Sequence, residues 1–387
     1  MNQPVTAAND PGASQLLRAI ARIDGSVASH QIASLVDQVS DWDNLFQLAH
    51  EHRVLPILYS RLSQPGVHVP PAALKYLREQ YERNVLHSMA NAAELIDLLD
   101  AFKQEEIPAM PFKGVVLSAS VYHDLTIRSA GDLDFVIRRR DLQTVTSILL
   151  AKGYTRVTPE ISRHEKKFSL NSEDTFQRES DGMVTELRWQ FGLARFARDL
   201  GLDWVWPKRE ITVLAGAEVP NLDPGTMLIV LCMHGAKHHW SRLLWICDVA
   251  HLLSNHPDLN WPAVIKEARK LVLQRFVALG VLLAQKVSGV TVPELVLQRF
   301  EADQLALQLS RHIEATLFGA PGSTPECRVP YVLRMLSFRD RLGAIFSMQI
   351  LQPNERDSAF LPLPKSLHLL YYAVRPFRIL LDRSPRF

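Results

Sequence analysis

The sequence contains few cysteines and almost no excess of either charge, and both features exclude classes of protein. Its 387 residues include three cysteines, Cys232, Cys247 and Cys327, whose spacing matches neither a zinc site nor a disulfide framework. A formal net charge of +2 gives no reason to expect a nucleic acid as a partner. Few cysteines are typical of a reducing compartment, so we expect a cytoplasmic protein.

Long apolar runs and internal repeats are also missing. No segment approaches the ~18 consecutive apolar residues of a transmembrane helix. The N-terminal residues lack the basic start and the apolar centre of a signal peptide. The hydrophobic content of 47% is nevertheless ample for a buried core, and the length allows two or three domains.

The spacing of apolar residues predicts an α+β protein, in which a small mixed-sheet domain is embedded between helical regions. Residues 1–106 have mostly helical spacing, and residues 107–222 alternate between strand and helix patterns. Residues 223–330 are helical again, and residues 331–387 form a basic, apolar tail. We therefore expect three folded regions followed by a tail.

The segment from Ile107 to Arg138 carries the strongest functional signal. Its pattern predicts a short strand, a glycine turn at Lys113-Gly114, a short helix, a loop and a second strand. Asp132 and Asp134 are two positions apart in the second strand, so their side chains share one face while their apolar neighbours face a core. Two adjacent carboxylates repel each other, and a divalent cation with hard oxygen ligands explains them better than packing does.

A third carboxylate is predicted on a neighbouring strand. Asp181-Gly182 separates two runs of alternating character, which is a strong signal for a hairpin. Glu186 lies in the second arm, on the face opposite to its apolar neighbours. With Asp132 and Asp134 it would complete a metal site of three carboxylates. The alternative is a polar strand edge that faces solvent.

The order of these features resembles the nucleotidyltransferase fold shared with DNA polymerase β and, more narrowly, the family of uncharacterised bacterial nucleotidyltransferases. The matching segments are PFKGVVL, the loop from Tyr122 to Arg128, GDLDFVI, the Gly153-Tyr154 step, TELRW and HGAKHHWSRLLWICDVAHLL. The resemblance implies an enzyme that moves an NMP from an NTP to a hydroxyl or similar acceptor and releases pyrophosphate. It implies that the cofactor is a pair of Mg²⁺ ions, with Mn²⁺ as the alternative metal. Catalytic and metal-binding roles then fall to Asp132, Asp134 and Glu186.

Two positions depart from the family pattern. The usual Gly-Ser of the turn is Gly114-Val115 here, preceded by Lys113. The histidine that often follows the third acid by two residues is Arg188. The first departure bears on how the triphosphate is held and the second on the choice of substrate. The alternative to an enzyme is a non-catalytic protein that keeps the fold and binds a nucleotide or another partner.

Residues around the glycine turn are candidates for binding the nucleotide. Gly114 would let backbone N–H groups approach the phosphates, because glycine has no side chain to block them. Lys113 adjoins this turn, and Arg128 and Ser129 lie just before the acids. The alternative is that these polar side chains are ordinary loop residues without a role in binding.

A later helical segment offers a second wall for the site. Residues 226–239 and 241–254 have helical patterns, and if the two helices run nearly continuously, His234 and Asp248 lie on nearly the same face. With Lys237 and His238 they would line a cleft opposite the acids, and Lys237 or Arg242 would lie within reach of a bound phosphate. One alternative is a buried polar network that holds two helices together. Another is a zinc pair formed by His234 and His238, which are four residues apart.

Residues 361–387 combine apolar and basic side chains. This composition is typical of a segment that lies on an anionic membrane surface or on a partner protein, and equally of a helix packed on its own domain. The membrane interpretation uses Leu369, Leu370, Tyr371, Tyr372, Arg375, Arg378 and Arg383. The sequence leaves the NTP and the acceptor open: a sugar phosphate, an antibiotic, a peptide, a protein side chain and an RNA end all fit.

Overall fold

A computed structural model describes most of the chain. The described residues are 10–157 apart from 24, 26 and 130, 173–190, 202–318 apart from 203, and scattered positions between 331 and 378. The chain divides into two compact units, one made of residues 1–190 and 201–324, the other of residues 191–200 and 325–387. The domain boundaries expected at 106, 222 and 330 stay a prediction.

The N-terminal part of the first unit is helical. Its helices are α1 (Pro11–Ile20), α2 (Ser29–Val36), α3 (Trp42–Glu51), α4 (Leu55–Leu62) and α5 (Pro71–Gln104). The Asp41 side chain accepts a hydrogen bond from the backbone N–H of Asn44 and so caps α3. The long helix α5 begins at a proline, which costs nothing at that position because the first N–H groups of a helix have no partner within it.

A five-stranded mixed sheet follows α5. The strands are β1 (Ala109–Pro111), β2 (Leu133–Ile137), β3 (Tyr154–Arg156), β4 (Glu173–Arg178) and β5 (Val184–Arg188). They lie in the order β1-β2-β5-β4-β3, and β2 with β5 is the parallel pair. The predicted hairpin is present, since β4 and β5 pair antiparallel around a turn in which Gly182 has φ +75°. The predicted α+β class is confirmed.

Helices cover the sheet and join its strands. After β1 come α6 (Gly114–Leu117) and a π-helical turn (Ser118–Tyr122); a 3-10 turn (Arg139–Asp141) and α7 (Leu142–Ala151) follow β2. The Phe102 ring of α5 packs edge-on against the Phe135 ring of β2, with centroids 5.5 Å apart. The core of this region is therefore formed by the apolar face of the sheet and by α5.

A hairpin and a second helical region complete the first unit. These elements are β6 (Arg209–Leu214), β7 (Ala217–Leu222), α8 (Pro224–Lys237), α9 (Leu243–Asn255), α10 (Trp261–Lys270), α11 (Gln274–Leu283), a π-helical turn (Ala284–Ser288), α12 (Glu294–Glu301) and α13 (Gln304–Thr316). The helical patterns over residues 226–239 and 241–254 correspond to α8 and α9, but the two helices do not run continuously. His239 and Trp240 have left-handed φ values of +59° and +52°, and Trp240 is fully buried. The helix breaks because the Trp240 ring packs against the Gly235 backbone, where a Cβ would lie 2.5 Å from the ring.

In the second unit, few residues are described. The fully buried Asp357 carboxylate accepts hydrogen bonds from Arg375 at 2.8 Å and from Arg378 at 2.5 Å. Two charges on which the membrane interpretation relied are thus bound to an acid within the unit. Leu369 and Arg383 lie outside the described residues, and contact of the tail with a membrane or a partner stays a prediction.

Two further findings concern the described part of the chain as a whole. None of its helices combines the length and the apolar character needed to cross a membrane. Cys232 and Cys247 are buried free thiols, and Cys327 lies outside the described residues.

Candidate active site

Three carboxylates come together where β2 and β5 run side by side. Asp132 directly precedes β2, Asp134 lies within it, and Glu186 lies within β5. The parallel register pairs Asp134 with Glu186. Each of the three side chains offers an oxygen, and these oxygens lie within 4.8 Å of one another. This is the one group of three or more potential metal ligands in the described residues.

The alternation of side chains along the two strands produces this cluster. In β5, Thr185 and Leu187 are fully buried, whereas Glu186 between them is half-buried. In β2, Leu133 and Phe135 enter the core and leave the acids on the opposite face. The cluster is therefore rigid, because it is part of the backbone register of the sheet.

Two basic side chains neutralise part of this acidic cluster. Lys113 Nζ donates to Asp134 Oδ1 at 2.9 Å, and the two side chains are only 10% and 3% exposed. Arg188 Nη2 donates to Glu186 Oε2 at 2.5 Å, and its Nε lies 3.6 Å from Asp134 Oδ1. Lys113, before the glycine turn, and Arg188, at the end of β5, thus both contact the acids directly.

The two strand acids respond in opposite directions to this environment. Burial alone would raise the pKa of Asp134, but the charges of Lys113 and Arg188 outweigh it and lower that pKa below its usual value. The pKa of Glu186 is raised by burial, by the charge of Asp134 and, to a lesser extent, by that of Asp132. Repulsion among the three carboxylates is therefore incompletely relieved by the basic residues.

A fourth acid extends the charged surface. Glu173, at the start of β4, lies directly across the antiparallel register from Arg188 and pairs with its Nη1. Lys237 Nζ, at the end of α8, lies 3.5 Å from Glu173 Oε2. Burial would raise the pKa of Glu173, but the charges of Arg188 and Lys237 lower it. The sheet and α8 are thus joined through a chain of ion pairs.

The turn at Gly114 requires glycine on two grounds. Its φ of +57° is left-handed, and a Cβ at this position would lie 3.0 Å from the Asp132 backbone oxygen. A side chain there would be strained by the backbone and crowded by the strand that carries the acids. The turn therefore brings its backbone close to the acidic cluster.

Arg128 is held by Asp248 rather than left free. Its Nε and Nη2 donate to the two Asp248 oxygens at 2.8 and 2.9 Å, and both side chains are buried. The Tyr122 hydroxyl donates to the same carboxylate at 2.8 Å, and Arg128 Nη1 lies 3.4 Å from the Gly114 carbonyl oxygen. Asp248 therefore belongs to a buried polar network, and the expectation that it lines the cleft is not met. Through Arg128 the network supports the glycine turn.

Helix α5 holds the loop that leads into β2. Tyr81 and Asn84 hydrogen-bond Thr126 at 2.8 and 2.7 Å. One turn further along, His87 Nε2 lies 3.2 Å from the Gly131 carbonyl oxygen. Residues from one face of a single helix thus position the backbone immediately before Asp132.

The C-terminal helices supply the other wall of the site. The rings of His234, His238 and Trp245 are neighbours, with centroids 4.8 to 5.2 Å apart. Burial and then the charge of Lys113 lower the pKa of His234, and burial with the charge of Lys237 lowers that of His238 to about 4. Both imidazoles are therefore neutral near neutral pH. Among the described residues they join no cluster of three potential metal ligands, so the zinc alternative gains no support.

A cavity of about 350 Å³ brings these elements together. Its lining residues are Arg53, Lys113, Gly114, Arg128, Ser129, Gly131, Asp132, Asp134, Glu173, Glu186, Arg188, His234, Lys237, His238, Ser241, Arg242, Leu244 and Trp245. Every candidate except Asp248 lines it.

Sequence reasoning gave no role to Arg53 and Glu173, two charged residues of the lining. The Asp181-Gly182 turn implied a register that sets Glu173 opposite Arg188, so Glu173 could have been found. Arg53 carries no comparable signal in the sequence.

Comparison with known proteins identifies one family. The model of the family described as uncharacterised nucleotidyltransferase matches residues 38–289. No curated protein and no solved structure matches the chain significantly. The matched range contains every residue that lines the cavity.

Proposed function

The chain belongs to the family of uncharacterised nucleotidyltransferases, and we propose that it moves an NMP from an NTP to a hydroxyl or similar acceptor with release of pyrophosphate. The observation that carries the proposal is the cluster of Asp132, Asp134 and Glu186, whose oxygens lie within 4.8 Å of one another. Family and cluster together fit a metal-dependent nucleotidyltransferase. A cytoplasmic location, expected from the cysteines, is part of the proposal.

The donor set suits a hard divalent cation. Carboxylate oxygens are the ligands that Mg²⁺ prefers. Burial and the charges of Asp134 and Asp132 raise the pKa of Glu186, and a bound cation would relieve the repulsion among these carboxylates. Two Mg²⁺ ions, or Mn²⁺ as the alternative metal, would be held by Asp132, Asp134 and Glu186. When bound, this cofactor neutralises phosphate charge and activates the acceptor oxygen.

The chain's own residues have distinct roles in this proposal. The backbone at Gly114 approaches the nucleotide phosphates, and Lys113 reaches them when its ammonium leaves Asp134. Ser129 contacts them from the loop before β2. His234 and Lys237 enclose the nucleotide from α8, where the neutral imidazole adds no charge to the site. Arg128 acts indirectly, because its guanidinium is bound to Asp248 and supports the turn.

The reaction balances within these roles. The acceptor oxygen forms a bond to the α-phosphorus, the bond from that phosphorus to the bridging oxygen breaks, and pyrophosphate leaves with the electron pair. The proton of the acceptor hydroxyl passes to a carboxylate of the cluster, and Glu186 is the one we expect to take it.

Substitution of the acids tests the proposal. With Mg²⁺, an NTP and a mixed pool of acceptors, Asp132→Asn and Asp134→Asn should each abolish pyrophosphate release. Asp132→Asn is the cleaner variant, because Asp132 makes no ion pair within the described residues, whereas Asp134→Asn also breaks the buried pair with Lys113. The exposed Asp258→Asn is the matched control and should keep full activity. Activity near that of the wild type in Asp132→Asn would contradict the assignment.

One observation favours the non-catalytic alternative. Lys113 and Arg188 already bind Asp134 and Glu186, so the chain can hold its acids together without a cation. A protein of this kind would bind an NTP in calorimetry, with or without Mg²⁺, and would release no pyrophosphate with any acceptor. Binding that requires Mg²⁺ and is followed by pyrophosphate release is expected of the enzyme.

A further inference from the structure

Two arginines of the cavity form no ion pair with an acid of the described residues. Lys113, Arg128 and Arg188 are each bound to a carboxylate at 2.9 Å or less. Arg53 and Arg242 also line the cavity, and neither forms an ion pair with an acid of the described residues. They are therefore cationic side chains of this site that no carboxylate of the described residues holds in an ion pair, although the charge of Asp132 acts on Arg242.

The backbone holds these two arginines side by side. His52 Nδ1 accepts a hydrogen bond from the Leu243 backbone N–H at 3.1 Å, and the Leu244 N–H donates to the His52 carbonyl oxygen at 3.3 Å. Arg53 directly follows His52, and Arg242 directly precedes Leu243. The junction after α3 and the start of α9 are thus clamped together, and both guanidinium groups face the same cavity.

Each arginine is also positioned individually. Arg53 has a left-handed φ of +56°, which turns the chain away from α3. Its guanidinium lies so close to Gly131 that a Cβ there would be 3.1 Å from Nη1. The Arg242 guanidinium lies over the Trp245 ring, 5.2 Å from its centroid. Arg53 thus lies beside the backbone that leads into Asp132, and Arg242 lies within electrostatic range of the Asp132 carboxylate.

Keeping two like charges together is unfavourable without an anion. Burial and then the charge of Arg53 lower the pKa of Arg242, and the charge of Asp132 opposes this shift without cancelling it. The two guanidinium groups therefore repel each other. Both side chains are half-buried, and solvent screens this repulsion only partly. An oxyanion bound between them would remove the repulsion and accept several hydrogen bonds from the planar guanidinium groups.

We propose that Arg53 and Arg242 bind a phosphate group carried by the acceptor. The inference rests on the proposed function, in which the nucleotide phosphates occupy the Gly114 turn and Lys113. Two guanidinium groups match the two negative charges of a phosphate monoester better than the single charge of a carboxylate. The substrate class is therefore a phosphorylated acceptor, and its phosphate is held apart from the nucleotide.

Calorimetry on the full-length protein tests this site directly. Inorganic phosphate is titrated into protein loaded with Mg²⁺ and a non-hydrolysable NTP analogue. Phosphate should bind, and Arg53→Gln and Arg242→Gln should each weaken it by about tenfold or more, which is about 1.4 kcal/mol. Arg242→Lys keeps the charge but loses the paired N–H donors of the planar guanidinium, so its affinity for phosphate should lie between those of the wild type and Arg242→Gln. The exposed Arg311→Gln is the control and should bind phosphate as the wild type does.

Further measurements show whether the two arginines bind the phosphate of the acceptor or that of the nucleotide. Analogue affinity should change by less than about twofold in Arg53→Gln and Arg242→Gln. A loss of analogue affinity equal to the loss for phosphate would assign these arginines to the nucleotide and overturn the proposal. Acetate binding as tightly as phosphate would overturn the phosphate class, and phosphate binding unchanged in both variants would remove the site. Melting temperatures of the variants exclude misfolding as the cause.

The same experiment separates this inference from the proposed function. If the analogue does not bind with Mg²⁺, the proposed function fails, while phosphate titrated into the analogue-free protein still reports on Arg53 and Arg242. If the analogue binds and phosphate does not, only the acceptor site fails.

Discussion

The buried pair of Arg128 and Asp248 allows a quantitative test of how the site is supported. The two side chains are 7% and 1% exposed and share two hydrogen bonds of 2.8 and 2.9 Å. Asp248→Ala leaves a buried guanidinium without its partner, and breaking such a pair costs about 3–5 kcal/mol. Asp248→Asn keeps one acceptor oxygen, so it should cost roughly half as much.

A double variant separates stability from positioning. Arg128→Met with Asp248→Leu removes both charges, and the free energy of unfolding should return to within about 1–3 kcal/mol of the wild type, the remaining loss being that of the Tyr122 hydroxyl without its acceptor. Pyrophosphate release should not return, because no guanidinium then supports the Gly114 carbonyl oxygen. Denaturant unfolding measures the stability of each variant, and a pyrophosphate assay measures the activity.

Two results would refute this reasoning. One is a cost below about 1 kcal/mol for Asp248→Ala, which is the range expected of an exposed ion pair. The other is a double variant whose destabilisation equals the sum of the single losses. Asp97→Ala is the matched control, since Asp97 pairs with Lys152 on the surface with its side chain 59% exposed, and it should cost about 1 kcal/mol or less.

Two further predictions concern His52 and Gly114. Burial and then the charge of Arg242 lower the pKa of His52 from 6.5 to about 4, so the unfolded chain binds the proton more tightly. The contribution of neutral His52 to the free energy of unfolding should be complete above pH 6.5 and fall by roughly 3 kcal/mol towards pH 4. His52→Asn can still accept the hydrogen bond from Leu243, and its free energy of unfolding should depend less on pH. A pH dependence equal to that of the wild type would contradict the assignment. Gly114→Ala should lower stability by about 1–2 kcal/mol because φ is +57°, and it should abolish pyrophosphate release; a fully active variant would show that the turn does not require glycine.

The acids could be found from the sequence because their signal is local. Strand alternation places Asp132 and Asp134 on one face, and the Asp181-Gly182 turn fixes the arm that holds Glu186. Their assembly into one cluster depends on the parallel pairing of β2 with β5, which joins residues about fifty positions apart and leaves no local mark. The resemblance to a known family supplied that step.

Other features could not be predicted because tertiary packing decides them. The break between α8 and α9 arises where Trp240 packs against Gly235 and Gly280, and helical spacing could not show whether the two helices run continuously. Arg53 reaches the site because its own left-handed φ turns the chain after α3, and because the preceding His52 is hydrogen-bonded to the start of α9. The role of Asp248 became clear only when its contact with Arg128 was known.

The parallel register of β2 and β5 also restricts how this chain can change during evolution. An insertion of one residue within β5 would exchange its two faces, carrying Leu187 to the carboxylates and Glu186 into the core. A change of length in either strand would thus destroy the chemistry and the packing together. Substrate preference can instead diverge by substitution on the polar face, or by changes of length in the segments that join the strands, where neither face is exchanged.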